Sequence, residues 1–305
     1  MMTQAKKIIG LSFGRINGNS EILLKEALMA AEEYGIQSEI IRAMELRVKP
    51  CKGCESCSVA FTRGLKATCA IKDDDCEWVL EKTCVEDGAL IISAPVYHAR
   101  PNGYFMCITE RLLPVMFSHM NILKKARVGG IIGVGGGDWT ALQLSLMNIY
   151  LQHTRILVDQ MQVQYMPRPG AVLADPTIME RARLLGKRIA EAILKPIEQV
   201  KYLGEDTPAS CPVCHCNVLH IPGKLTEVIC PVCAVKGTMV ADGNGMVIKW
   251  NEEDVKCPRF SEWGITSHMA DVGKLHEKFF KEDIGKVNEL VKKYVAYGNI
   301  TRPGG

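Results

Sequence analysis

Residues 8–24 read Ile-Ile-Gly-Leu-Ser-Phe-Gly-Arg-Ile-Asn-Gly-Asn-Ser-Glu-Ile-Leu-Leu. An apolar run that suits a buried strand passes through a polar loop of small residues into an amphipathic helix. Ser12, Asn17, Asn19 and Ser20 offer short hydrogen-bonding side chains, while Gly14 and Gly18 let the backbone turn and come close to a ligand. A loop at the carboxyl end of a strand, feeding a helix amino terminus, presents unpaired N–H groups to an anion. Ser20 or Asn19 can also cap that helix. An ordinary strand–helix connection looks much the same, so the rest of the chain has to decide.

Working outward, a strand is expected over 6–12 and a helix over 21–34, closed by Gly35. A second strand covers 37–42. An irregular cysteine-bearing segment follows Pro50 and runs to about residue 75, with a helix near 75–86 behind it. Strands are expected at 89–94, stopped by Pro95, at 127–134 and at 156–164, with helices near 103–118, 139–153 and 175–194. Strands alternating with helices, several of them apolar throughout, predict a parallel sheet covered on both faces. Five of them fit a doubly wound α/β sheet of the flavodoxin type, with its ligand beyond the strand carboxyl ends. Ser12–Ser20, Pro95–Gly103 and Gly135–Trp139 all fall on that edge, and all are rich in Gly, Asn or Pro.

Composition narrows the class. The 305 residues are 47% hydrophobic and 23% charged, which suits a globular protein with a sizeable core. A net charge of +3 is too mild to argue for a nucleic-acid or membrane partner. No apolar run is long enough for a membrane span and no secretory leader is evident, so a cytoplasmic location is expected. Cysteine is the outlier: 13 residues, many in Cys-x2-Cys spacing, a pattern that favours metal ligation over disulfides.

Three ordered motifs carry a resemblance. They are KIIGLSFGRINGNSEILLKEAL (7–28), VKPCKGCESC (48–57) followed by CAIKDDD (69–75), and ISAPVYHARPNG (92–103). Together they resemble the NADPH-dependent FMN reductase and iron–sulfur flavoprotein group of the flavodoxin-like superfamily, over about residues 5–195. The resemblance implies FMN. Its phosphate would be held by Ser12, Arg15, Asn17, Gly18, Asn19 and Ser20; its ring would lie against Pro95, Val96, Tyr97 and His98, with Gly135, Gly136 and Gly137 closing the far edge. One departure stands out: the group usually has a Pro-Arg pair where Gly14-Arg15 stands, and one residue of the loop is missing.

Cys51, Cys54 and Cys57 place three thiols on a tight turn, and Cys69 follows after eleven residues. Such a triplet with a more distant fourth thiol suits a [4Fe–4S] cubane. The resembled group holds its cluster in this way, with a shorter gap before the fourth cysteine. A structural zinc, an unligated remnant and a redox dithiol remain alternatives. Cys76, Cys84 and Cys107 fall in predicted helices and read as small buried residues.

Pro196 and residues 204–208 mark a linker. Beyond it, Cys211-x2-Cys214 and Cys230-x2-Cys233 stand fifteen residues apart, a strong signal for a tetrahedral four-thiolate site. The module resembles a zinc ribbon, and also rubredoxin, which holds iron in the same ligands. Residues 208–245 contain no Phe, Tyr or Trp to pack around an iron, which favours zinc. His215, Cys216 and His220 are spare. A helix is expected over 275–297.

The expected organisation is therefore a flavodoxin-like domain over 1–200 with a cysteine-rich insertion at 51–69, a small β ribbon over 208–250, and a helical segment over 251–305. The expected function is that of an FMN-dependent oxidoreductase. Ferredoxin, through the cluster, or NAD(P)H would supply electrons for an unidentified acceptor, with Tyr97 and His98 as the groups that protonate it. The competing reading is a redox-responsive regulatory protein whose ribbon binds a partner. Residues 208–250 carry no basic cluster, so nucleic acid is not the expected partner. A homo-oligomer, dimer or tetramer, is expected.

Overall fold

The structure is a computed structural model, in which residues 6–243 and 245–298 are described. Five parallel strands form the central sheet: β1 (Lys7–Ser12), β2 (Gln37–Arg42), β3 (Ala89–Tyr97), β5 (Val128–Val134) and β6 (Ile156–Val163). Their order is β2-β1-β3-β5-β6, and the two-residue strand β4 (Arg100–Pro101) folds back antiparallel on the end of β3. This is the doubly wound flavodoxin order, whose direction reverses between β1 and β3. A ligand crevice belongs at their carboxyl ends.

The two faces are covered by different helices. α1 (Asn19–Glu32) and α7 (Pro176–Ile193) cover one, burying Leu23, Leu24, Ala27, Leu185 and Ile189 against Ile8, Ile91 and Ile132. The other carries α3 (Cys76–Leu80, continued by a wide turn to Val85), α4 (Gly103–Thr109), α5 (Leu112–Ser118) and α6 (Gln143–Gln152), over Ile9, Leu11, Leu90 and Ile131. The inner strands β1, β3 and β5 thus bury alternate residues on opposite faces, which is why they read as nearly unbroken apolar runs, whereas edge strand β2 buries only Ile41. α1 and α7 touch at Gly186, where an added Cβ would lie 1.9 Å from the Ala27 carbonyl oxygen. Gly35 ends the first helical segment with φ +73, the left-handed turn expected of it.

Four local expectations are corrected. Pro95 does not stop β3; the strand runs on to Tyr97, because Pro95 sits on the last rung opposite Val134, where a missing N–H costs little. The helix expected over 103–118 breaks at Glu110–Arg111 into α4 and α5. The cysteine segment is not wholly irregular, since it holds α2 (Ser56–Thr62). The single helix expected over 275–297 is two, described below.

Beyond α7, a three-stranded antiparallel sheet forms from β7 (Glu227–Ile229), β8 (Lys236–Ala241) and β9 (Met246–Trp250), followed by the short α8 (Glu252–Lys256). All of this belongs to one compact unit with the parallel sheet, Met1–Gly264. A second unit, Ile265–Gly305, contains most of α9 (Glu262–Phe280) and all of α10 (Ile284–Val295). Asp283 separates these helices: its side chain accepts the Lys286 N–H and caps α10. Among the described helices none is long and apolar enough to cross a membrane.

Candidate functional site

The loop between β1 and α1 forms a closed cradle. An added Cβ at Gly14 would lie 2.1 Å from Ser20 Oγ, and one at Gly18 would lie 2.9 Å from Arg15 Cγ, so a larger residue at either position would displace a side chain of the cradle. Ser12, Asn19 and Ser20 are buried within it, and the Ser12 hydroxyl has no hydrogen-bond partner among the described residues. Arg15, Ile16 and Asn17 form the exposed rim; Asn17 is left-handed, and its Oδ1 accepts from Lys25 Nζ at 2.9 Å. Glu21, fully buried in the first turn of α1, is paired with Arg42 and Lys25. Burial pushes its carboxyl up, yet hydrogen bonds from Arg42 and Lys25 outweigh that and hold it below the usual range. Two cations thus neutralise the one acid beneath the cradle.

Across the crevice, β3 and β4 make a two-residue hairpin. Tyr97 pairs with Arg100, and the turn residues His98 and Ala99 have φ of 52 and 66. Positive φ at both positions is the pattern of a type I′ turn, which usually selects Asn and Gly. Here two side chains with Cβ atoms occupy it, a strained choice that aims Tyr97 and His98 outward. Val96, His98 and Ala99 face Gly136, Gly137, Asp138 and Trp139 across a cleft of about 280 Å³. The His98 ring meets Trp139 edge-on at 6.2 Å. Tyr97 and Trp139 are both at least half exposed.

Buried carboxamides tie these loops together. Asn102 caps α4 by accepting the Phe105 N–H, and its Nδ2 donates to the Phe13 carbonyl in the cradle loop. Asn19 does not leave its amide free: Nδ2 donates to the Met166 and Arg168 carbonyls at 3.1 and 2.7 Å. Met166 N–H in turn reaches the Gly135 carbonyl. A fourth loop, 164–170, therefore closes the ring of loops and brings the exposed Tyr165 and Arg168 to this edge of the sheet. Sequence reading missed it, although Pro167, Pro169 and Gly170 directly after a strand were a usable turn signal. Asn102 was missed for a different reason: it lies in the quoted 92–103 motif, but nothing there announces its bond to the Phe13 carbonyl.

The cysteines divide sharply. Among the described residues, the group whose ligand atoms converge is Cys211, Cys214, Cys230 and Cys233, all buried and all within 4.8 Å of one another. Cys211 and Cys233 are 3.2 Å apart at sulfur, Cys214 and Cys230 3.4 Å. A tetrahedron with bonds of ~2.3 Å has sulfur–sulfur edges of ~3.8 Å, so the set fits a bound divalent ion. The two knuckles repeat one geometry: His215 and Ala234, each four residues after the first cysteine, are left-handed and donate their N–H to that cysteine's carbonyl. Hydrogen bonds among the thiols push Cys211 and Cys230 down and Cys214 and Cys233 up, since packed thiols cannot all ionise without a cation. Burial lowers the Lys125 ammonium to about 8, while the nearby Cys233 and Cys214 pull it the other way. The spare groups stay outside the four: His215 stacks on Tyr202 and bonds Asp206, Cys216 meets Ser145, and His220 is exposed.

Cys51 and Cys54 are exposed, and Cys57 and Cys69 half-buried; their sulfurs are not gathered as those of the knuckles are. The Ser56 hydroxyl donates to Cys54 and lowers its thiol. The base of this segment, by contrast, is firmly closed. Arg111 pairs with Asp74, both nearly inaccessible, and donates to the Lys49 and Ile71 carbonyls on the two sides of the loop. Cys76 and Cys84 are wholly buried, and burial pushes the Cys76 thiol up to about 12.

No protein-family profile matches the chain. An iron–sulfur flavoprotein of Methanocaldococcus jannaschii is 32% identical over 199 residues, 61% of this chain and 97% of its own length. The chain belongs to the iron–sulfur flavoprotein family. Another member, from Archaeoglobus fulgidus, is 30% identical over 198 residues and 94% of its length. A protein of Aspergillus candidus named as a flavone synthase is 24% identical across 94% of this chain and 95% of its own. A solved structure described as a flavone reductase shares the fold at a TM-score of 0.77, covering 97% of this chain and 99% of its own at 23% identity.

For an iron–sulfur flavoprotein the two expected groups meet different fits. The cradle suits a flavin phosphate: two closely packed glycines, an unpaired buried hydroxyl and a helix amino terminus converge on it. The gathered thiolate site lies in the carboxyl-terminal third, whereas the thiols of the Cys51–Cys69 segment in the flavodoxin-like part stand apart.

Proposed function

We propose that this protein is an FMN-dependent oxidoreductase with its flavin at the β1/β3 switch point. The observation that carries the reading is the convergence of Ser12–Ser20, Val96–Ala99 and Gly136–Trp139 on that crevice. Asn17, Gly18, Ser20 and the Ser12 hydroxyl hold the phosphate with Arg15 at the rim, and Asn19 acts by pinning the Tyr165–Arg168 loop. Pro95, Val96, Tyr97 and His98 line one side of the ring, and Gly135, Gly136 and Gly137 the other. Bound FMN supplies hydride and single-electron transfer; the protein supplies orientation, electrostatics and access.

Tyr97 and His98 stand at the cleft mouth, where an O–H or a ring nitrogen can deliver a proton to the acceptor. The exposed Tyr97 and Trp139 favour a flat conjugated acceptor, and the full-length likeness to a flavone synthase supports the same class. Cys51, Cys54, Cys57 and Cys69 would hold a [4Fe–4S] cluster supplying one-electron transfer from ferredoxin; without it NAD(P)H would be the donor. Cys211, Cys214, Cys230 and Cys233 would hold zinc.

Anaerobically purified protein should carry about one FMN, about four irons with four sulfides, and about one zinc per chain. It should be reduced by ferredoxin, and a Cys54→Ala variant should keep FMN but lose that reduction. Colourless protein that takes up no FMN would sink the reading as a whole. Flavin and zinc without iron would remove the cluster and leave NAD(P)H as donor.

A further inference from the structure

A chain of contacts runs from the first cysteine knuckle to both loops of the ring cleft, by way of α6 and the end of β6. At the knuckle, Cys216 Sγ lies 3.1 Å from Ser145 Oγ, and the His215 carbonyl accepts from Gln160 Nε2 at 3.2 Å. Gln160 Oε1 accepts from Asn148 Nδ2 at 3.0 Å. Ser145, Asn148 and Gln160 are all buried, and Ser145 and Asn148 lie on α6. The first residue of the same helix is Gln143, fully buried, whose Nε2 donates at 2.7 Å to the carbonyl of Ala94. Ala94 directly precedes the Pro95–His98 wall. Gln162 Nε2 and Gln164 Nε2 hold Thr140, through its carbonyl at 2.8 Å and its hydroxyl at 2.7 Å, and Thr140 ends the Gly135–Trp139 wall. Space for Gln143 exists only because residue 133 is glycine: an added Cβ there would lie 2.6 Å from Gln143 Oε1.

We infer that Gln143, Ser145 and Asn148 are positioning residues through which the metal-held knuckle and the flavin pocket stabilise each other. The inference rests on the FMN reading above. The physical ground is that a short loop with two cysteines folds around its ion, which fixes it more firmly than the Tyr202 stack and the Asp206 bond of His215 alone. While the ion is present, His215 and Cys216 are fixed, and α6 is braced at two successive turns. When it is lost, Gln160 and Ser145 lose fixed partners, α6 gains freedom, and the Ala94 and Thr140 carbonyls, which accept from Gln143 Nε2 and the Gln143 N–H, move with it. A helix bonded to the knuckle side at Ser145 and Asn148 and to the cleft walls at Gln143 is a contiguous element that both sites bias. Linkage then requires the effect to be reciprocal: metal raises FMN affinity by the same factor by which FMN raises metal affinity.

The test uses the full chain. FMN affinity is measured by flavin fluorescence before and after the metal that purifies with the protein is stripped by a chelator. A weakening of about tenfold or more is expected, within the usual range of coupling between sites. In a Ser145→Ala/Asn148→Ala variant the same stripping should change FMN affinity less than about twofold. The reciprocal measurement needs neither a variant nor a stripped protein: saturating FMN should tighten metal retention, read by a chromogenic chelator, by the matching factor. Unchanged FMN affinity after stripping, together with unchanged metal retention under FMN, overturns the coupling. A full effect persisting in the double variant overturns the route through α6. Failure of the metal-loaded protein to bind FMN at all overturns the FMN reading and this inference with it.

Discussion

Asn19 shows how a single side chain serves a site it does not itself contact. Its amide is spent on the Met166 and Arg168 carbonyls. Asn19→Ala leaves two carbonyls short of a donor, at a cost of about 1–3 kcal/mol, and frees the fourth loop. FMN affinity should fall about tenfold in a fluorescence titration; a drop in melting temperature with unchanged affinity would show that the loop matters only to the fold. His153 carries a second residue-scale expectation. It is buried against Phe260 with its Nδ1 on the Ile149 carbonyl, and burial, aided by the Lys125 charge, lowers its imidazole to about 4. The unfolded value is about 6.5, so the unfolded chain takes up the proton first as pH falls. His153 therefore contributes full stability above pH ~6.5, and up to about 3 kcal/mol is lost as pH drops toward 4. Melting temperatures between pH 7 and 5 should fall more steeply for the native protein than for His153→Leu; parallel slopes would count against this assignment.

At the scale of elements, the five strands and α1 were legible because buried parallel strands announce themselves as apolar runs between Gly and Pro signals. What escaped was set by tertiary contacts. The break at Glu110–Arg111 places a buried guanidinium where a continuous helix would carry it elsewhere, and the β3 extension depends on a neighbour that has no use for the N–H proline lacks. The turn before α10 rests on one capping carboxylate, Asp283, hidden in a charged stretch. The three Gly-, Asn- and Pro-rich loops and both cysteine spacings were visible in order, whereas the bond from Asn102 to Phe13 and that from Gln143 to Ala94 join residues distant in sequence and left no local pattern. Arg111 makes the strongest prediction here. Arg111→Met strands the Asp74 carboxylate in the interior, a loss of about 3–5 kcal/mol. Chemical denaturation should show that loss, and limited proteolysis should cut first within residues 50–70. Restored stability in Arg111→Met/Asp74→Leu would confirm that the stranded charge is the cause.

At the scale of the molecule, the ribbon belongs to the same compact unit as the flavodoxin-like sheet. Removing one knuckle ligand should be felt beyond the knuckle. Cys230→Ser is expected to release the ion and to lose hydrogen-exchange protection across β7–β9, since a structural site's binding energy is folding energy. Retained metal with unchanged protection would show that three thiolates suffice. The opposite design governs residues 50–70, whose ends are locked together at Lys49 and Ile71 by one guanidinium. A segment tied off at its neck can change length at little thermodynamic cost, roughly 0.6 kcal/mol for each doubling. Beyond the neck the segment rests on the body at the Phe61–Phe117 stack and the Ser118–Ala67 bond. The exposed stretch around Cys51 and Cys54 is thus an exchangeable cartridge, one whose length can change without the sheet relearning how to fold.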